Sequence, residues 1–245
     1  MNRHVRRLLR LERLFGADFL PAGKAAASAV PRPRPEREPP RPPSAVRAEA
    51  TAIPPPEPEP PEWVAFRQQV LGCTKCDELC ARRTQVVFGV GSVRAPVVFI
   101  GEAPGEDEDR QGEPFVGRAG QLLTRSLAKL GVSRAQVYIA NVLKCRPPGN
   151  RTPQHQEMGN CMPYLLRQIG LIRPKILCVL GNVAAQALLN TSRGITQLRG
   201  RYHDFQGTKV FAAYHPAYVL RNMSELTTFE TDMRRVLGDA GLVGN

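Results

Sequence analysis

Three short runs along the chain are dense in Val, Ile and Leu: Pro96-Val97-Val98-Phe99-Ile100-Gly101, Val137-Tyr138-Ile139-Ala140-Asn141 and Lys175-Ile176-Leu177-Cys178-Val179-Leu180-Gly181. Apolar residues in unbroken succession suit strands covered on both faces, as in a parallel sheet. Between them the period changes to that of a helix. Residues 119–130 set Leu122, Leu123, Leu127 and Leu130 on one face and stop at Gly131, a C-terminal signal. A second helix is expected to start at Thr152 with Pro153 in its first position and to run to about Ile172. A third follows Asn182 as N-cap and covers residues 183–189. A fourth strand, residues 210–214, precedes His215-Pro216, and a last helix covers about 225–237.

Strands alternating with helices predict an α/β fold, a three-layer α/β/α sandwich around a mostly parallel four-stranded sheet. Ligands of such sheets bind beyond the carboxyl ends of the strands. That rule alone selects Gly101-Glu102-Ala103-Pro104-Gly105, Asn141 and His215 as candidate site residues.

The N-terminal quarter is different. Residues 1–62 contain 14 of the 23 prolines and almost no apolar periodicity after Leu20, so residues 21–61 read as a disordered Pro-rich linker. Ahead of it, residues 1–20 read as a short basic helix. Val5, Leu8, Leu9 and Leu14 lie opposite Arg3, Arg6, Arg7, Arg10 and Arg13. A weakly docking or DNA-touching helix and an organellar targeting segment both fit, with Glu12 and Asp18 against the second. Residues 62–245 then form one domain. No run of about 18 apolar residues occurs, so no membrane span is expected.

The net charge is +12, of which +3 falls on residues 1–62 and +9 on the remainder. A domain this basic suits a polyanionic partner, because contacts to phosphates release counterions. Many basic proteins nevertheless bind no nucleic acid.

Six cysteines occur, with no secretory signal before them. A cytoplasmic location and free thiols are therefore expected, without disulfides. Cys178, inside an apolar run, reads as a small buried hydrophobe. Cys73-x-x-Cys76 has the spacing of a chelate for zinc or an iron-sulfur cluster. Cys145 follows a strand and Cys161 lies in the next helix, a spread that suits a bulky cluster better than two tight zinc knuckles. Cys80 could substitute for one ligand. Iron-sulfur, zinc and plain thiols all remain open on the pattern alone.

Two segments of the acidic loop, Gly101 to Asp109 and Gly112-Glu113-Pro114-Phe115-Val116-Gly117-Arg118-Ala119-Gly120, resemble the signature of family 4 uracil-DNA glycosylases. So do Asn141-Val142-Leu143-Lys144-Cys145-Arg146-Pro147-Pro148-Gly149-Asn150-Arg151 and His215-Pro216-Ala217-Tyr218-Val219-Leu220-Arg221. With the cysteines the resemblance covers about residues 70–237. It implies a monomeric repair glycosylase that cleaves the bond between uracil and deoxyribose in single- or double-stranded DNA, leaving an abasic site. It also implies a [4Fe-4S] cluster held by Cys73, Cys76, Cys145 and Cys161.

The resemblance distributes roles. Phe115 is to stack on the extruded uracil, and Asn141, whose amide both donates and accepts, is to match uracil O4 and N3–H. Gly101, Glu102 and Ala103 complete the substrate contacts. His215 is to donate to O2 of the leaving base. Leu220 is to act as a wedge in the base stack, and Arg221 is to hold phosphate. For the water, Glu102 is the first choice and Glu108 the second, since Ala103 stands where the related family 1 enzymes have an aspartate. At least two of Glu106, Asp107, Glu108 and Asp109 are expected to be simply solvated. Only Val142, Leu143 and Lys144 separate Asn141 from Cys145, leaving no room for the histidine-bearing insertion of a covalent subgroup, so ordinary turnover is expected. The alternative is a non-catalytic iron-sulfur or zinc DNA-binding module, such as a polymerase accessory. An enzyme acting on free nucleotides is a further rival, against which stands the missing Lys-Ser/Thr pair of a phosphate loop.

Overall fold

The structure is a computed structural model that describes residues 58–244 of the 245-residue chain. The basic helix expected over residues 1–20 lies outside them, as does the linker up to residue 57. The first elements are α1 (Pro61–Leu71), α2 (Asp77–Arg82), β1 (Val90–Gly91), β2 (Val97–Gly101), α3 (Glu106–Gln111), α4 (Arg118–Lys129) and β3 (Tyr138–Asn141). They are followed by α5 (His155–Ile172), β4 (Ile176–Leu180), α6 (Asn182–Leu189), α7 (Ile195–Leu198), β5 (Tyr202–Phe205), β6 (Thr208–Ala213), α8 (Pro216–Arg221) and α9 (Leu226–Ala240).

The sheet order is β1-β3-β2-β4-β6-β5. The four central strands are parallel, and the unbroken apolar runs explain why: every residue of β2, β3 and β4 is buried. Alternate side chains feed two cores, as a period of two requires. Val98, Ile100, Tyr138, Leu177 and Val210 pack with α1, α5 and α6 residues such as Trp63, Leu165 and Leu188. Val97, Phe99, Ile139, Cys178 and Phe211 pack with α4 and α9 residues such as Leu123, Leu127, Phe229 and Met233. The helices therefore form two outer layers. Connections toward β3 run over the second core and those toward β6 over the first, which keeps each parallel crossover right-handed. The reversal of direction falls between β2 and β4, and the crevice of such a sheet opens at their carboxyl ends.

The sheet has six strands where four were expected. The two additions are antiparallel edges, β1 against β3 and β5 against β6. β1 is two residues long, too short to show any period. β5 reads Tyr-His-Asp-Phe, half polar because it closes the sheet toward solvent. It turns into β6 through Gln206-Gly207, both at positive φ (51° and 83°), the geometry of a tight two-residue hairpin turn.

Two helix starts also move: Asn182, expected as an N-cap, is the first residue of α6, whose N-cap is Gly181. α5 begins at His155 and not at Thr152, because Glu157 reaches back to accept the Gln154 N–H at 2.7 Å and fixes the first turn there. The acidic run Glu106 to Asp109, of which at least two members were expected to be simply solvated, lies in the short helix α3. Among the described residues no helix is long and apolar enough to cross a membrane.

Candidate active site

The carboxyl ends of β2 and β3 are in register, Gly101 beside Asn141. A cavity of about 610 Å³ opens there, lined among others by Glu102, Ala103, Phe115, Asn141, Gly181, Tyr214, His215, Tyr218 and Arg221. The chain needs glycine at 101 because a Cβ there would stand 2.4 Å from Asn141 Oδ1 and 2.6 Å from the Phe115 ring. The same numbers show that the Asn141 amide and the Phe115 ring meet over this bare backbone. Asn141 is 2% exposed. No described residue hydrogen-bonds its side-chain amide, and a buried amide without a protein partner is built for a ligand.

Phe115 sits at φ 55°, unusual for a bulky residue. Two groups hold it so, Arg134, which the sequence reading missed, and Glu108, which it assigned to the water. The Arg134 guanidinium donates to Phe115 O at 2.9 Å and to Pro114 O at 2.7 Å. On the other side Glu108 accepts from the N–H groups of Val116 and Gly117, both at 2.9 Å, and of Gly105 at 3.1 Å. Three backbone donors occupy the Glu108 carboxylate. Asp109 is buried and accepts from Thr84 N at 2.9 Å. Of the acidic run, Glu106 is the freely exposed member and forms a long ion pair with Arg146 at 3.2 Å.

Glu102 lines the same cavity as Glu108 but differs from it in its partners. It is half-buried on the cavity wall, and no described residue donates to its carboxylate. Burial pushes its carboxyl above the ordinary carboxylate range.

His215 caps α8, and the position of its proton can be deduced. The Ala217 N–H can only donate, and it does so to His215 Nδ1 at 3.1 Å. In the neutral ring the proton is therefore on Nε2. Burial first and Arg221 second pull the imidazolium down to about 4. Its ring lies 5.5 Å from that of Phe115. Gly181, at φ 90°, passes 2.9 Å from His215 Cβ once a Cβ is built on it, so no larger residue fits there. A glycine directly after a strand is the signal that could have found it.

The two residues assigned to DNA part company. Arg221 lines the cavity. Leu220 is partly buried against the core formed with α4 and α9. Tyr218, which the reading passed over, is 36% exposed and lines the cavity.

Next to this site lies a group of thiols. Cys73 and Cys76 are on the α1–α2 connection, Cys145 follows β3 and Cys161 is on α5. The four share one core neighbourhood. Cys161 senses the charges of Cys76 and Cys73, and Cys145 senses that of Cys161. As free thiols Cys145 and Cys161 are held up by burial, Cys145 to about 11 against the pull of Arg83. Arg83 Nη1 donates to Cys145 Sγ at 3.0 Å and Asn160 Nδ2 to Cys76 Sγ at 3.4 Å, the kind of outer contact that thiolate ligands receive. Cys80 Sγ is turned to Cys73 O at 3.6 Å, and Cys178 lies apart in β4. Among the described residues no three His, Cys, Asp or Glu side chains are close enough together for one metal ion. Four converging thiols are a donor set that either zinc or an iron-sulfur cluster uses. Cage and cavity share a strut: buried Lys144 donates to Asn141 O at 2.9 Å and to Gln168 Oε1 at 2.7 Å.

Comparison with known proteins supplies the rest. The family model of the uracil DNA glycosylase superfamily matches residues 88–239. A type-4 uracil-DNA glycosylase of Archaeoglobus fulgidus is 44% identical over 177 residues, 69% of this chain and 88% of the relative. One of Thermotoga maritima is 44% identical over 172 residues, 69% of this chain and 86% of the relative. A DNA polymerase of the Bacillus phage SP01 is 32% identical over 146 residues, 59% of this chain but 16% of the polymerase.

Proposed function

Since this chain belongs to the uracil-DNA glycosylase superfamily, we propose that it excises uracil from DNA in base excision repair, by hydrolysis at C1′ with the groups described above. The observation that carries this reading is the Asn141 amide, buried at a strand end, without a protein partner and facing Phe115 across Gly101. An amide offers a donor to uracil O4 and an acceptor to N3–H, a pair that cytosine inverts. Phe115 stacks on the flipped base.

In the reaction the N1–C1′ bond breaks heterolytically, and its electron pair passes to the pyrimidine ring and O2. The Nε2–H of His215 donates to that oxygen as it becomes anionic. Glu102, ionised and unpaired, faces the developing sugar cation and takes a proton from the water that adds to C1′. Glu108 shapes the pocket and does not react. Arg221 holds backbone phosphate. Ordinary turnover follows, since the three residues between Asn141 and Cys145 leave no room for a histidine-bearing insertion.

A gel assay on a uracil-bearing oligonucleotide, followed by alkali to cut abasic sites, tests the reading. Strand cleavage only after enzyme treatment is expected; protein that binds the oligonucleotide without creating abasic sites would instead support a polymerase-accessory role. Asn141→Asp is expected to lower uracil excision by about 10-fold or more, since a carboxylate cannot donate to O4. Unchanged excision would remove Asn141 from base recognition.

Cys73, Cys76, Cys145 and Cys161 would hold a [4Fe-4S] cluster. When bound, such a group supplies a cross-link between the α1–α2 connection, the segment after β3 and α5. Arg83 and Asn160 offset the thiolate charge. The purified protein is expected to be yellow-brown. Cys145→Ser or Cys161→Ser should abolish the colour and lower the melting temperature by about 10 °C, the effect of losing roughly 3–5 kcal/mol in a domain of this size. Cys178→Ala should keep the colour. Colourless protein with one zinc per chain would overturn the assignment.

A further inference from the structure

Large apolar side chains exposed among the described residues are few: Val64, Leu71, Leu166, Tyr218 and Met223. Of these, Tyr218 alone lines the cavity. It lies on α8, whose Pro216 and Val219 are buried and whose Leu220 packs toward the core. Behind its ring is Tyr214, with centroids 4.8 Å apart and planes tilted by 37°. Behind Tyr214 is the Arg199 guanidinium, 4.6 Å from that ring and held by the buried carboxylate of Asp232 at 3.1 Å. Cation, ring and ring thus form a braced column at the cavity mouth. No other ring or cation among the described residues stacks on Tyr218.

We propose that Tyr218 is a positioning residue, the platform on which the nucleobase next to the extruded uracil stacks. The proposal rests on the function given above. Extruding a base strips its neighbour of one stacking surface, and an aromatic face at the rim restores it. The column resists displacement because Arg199 and Asp232 fix its inner end. Stacking on an aromatic face needs no complementary strand, so the platform serves single-stranded and duplex DNA alike. An aliphatic wedge would instead act by displacing a paired partner. Leu220, partly buried against the core, offers only part of its side chain for that.

The test places 2-aminopurine beside uracil in single-stranded and duplex oligonucleotides. Binding, probe emission and single-turnover excision are measured for wild type, Tyr218→Ala, Tyr218→Leu and Tyr218→Phe. In both DNA forms the Ala and Leu variants are expected to bind about 10-fold more weakly or worse, the range that alanine substitution gives at base-stacking aromatics. Their complexes should emit more brightly than the wild-type one, because the probe loses its quenching stack, while Phe restores both readings. The Leu variant keeps apolar bulk, so it reports even where Ala does not fold. Wild-type emission and affinity in the Leu variant would overturn the platform, as would a loss confined to duplex DNA or a failure of Phe to rescue. A wild-type protein that excises no uracil at all would instead defeat the underlying function.

Discussion

Replacing His215 by alanine is expected to slow single-turnover uracil release by about 10²–10³-fold, the cost of losing one donor aimed at a developing oxyanion. The geometry specifies which atom matters. With Nδ1 receiving the Ala217 N–H, only Nε2 can donate. With the imidazolium held down to about 4, the ring is neutral throughout the physiological range. The wild-type rate should therefore show no limb attributable to imidazole between about pH 5 and 8. Stability behaves differently. Between the ordinary histidine value of about 6.5 and the folded value, the unfolded chain takes up a proton that the folded one refuses. Stability is therefore full above that window and falls as the pH drops through it, and His215→Ala should remove that share of the acid loss. Single-turnover rates with enzyme in excess, set beside melts at matched pH, measure both. A variant that keeps the wild-type rate would take His215 out of the chemistry.

Glu102→Gln and Glu108→Gln should fail in opposite ways. Glu102→Gln is expected to lose about 10²-fold in single-turnover rate, within the typical range for a general base. Burial raises its carboxyl, so the wild-type rate should fall as the pH drops through a point above the usual carboxylate range, and the variant should lack that limb. A buried carboxylate without a donor opposes folding once ionised, hence this variant should melt no lower than wild type. Glu108→Gln should melt several degrees lower, because a neutral amide holds three backbone N–H groups more weakly than a carboxylate does. Per folded molecule it should keep most of its rate. The reverse pattern, with Glu108→Gln inactive but stable and Glu102→Gln active, would exchange the two roles.

That distinction could not be read from the sequence, where nothing local shows which of the two carboxylates has its acceptors occupied. Only folding shows that on one cavity wall the Glu108 carboxylate is taken up by the Gly105, Val116 and Gly117 N–H groups while that of Glu102 has no donor. The parallel strands were legible because burial on both faces demands unbroken apolar runs, and Asn141 and His215 because they terminate such runs. The edge strands were not, since one is too short for any period and the other is half polar. Arg134 was invisible for another reason: an arginine in a short polar turn carries no local sign that its partners, Pro114 and Phe115, lie some twenty residues earlier. Tyr218 was hidden by helical phase. Within Ala217-Tyr218-Val219-Leu220 a shift of one residue decides which apolar side chain meets solvent, and a six-residue helix offers too few turns to settle it.

The grip on Phe115 also bears on cooperativity. A residue at φ 55° relaxes unless its surroundings over-determine it. Here the restraints are Arg134, from the turn ahead of β3, and Glu108, from α3. Neither can let go without disturbing the element that carries it, so the base-stacking wall has no independent low-energy opening of its own. Amide exchange at Val116 and Gly117 should therefore proceed only through the opening that also releases β3. Partial warming would then reduce the number of working molecules while leaving each survivor with its selectivity for uracil intact.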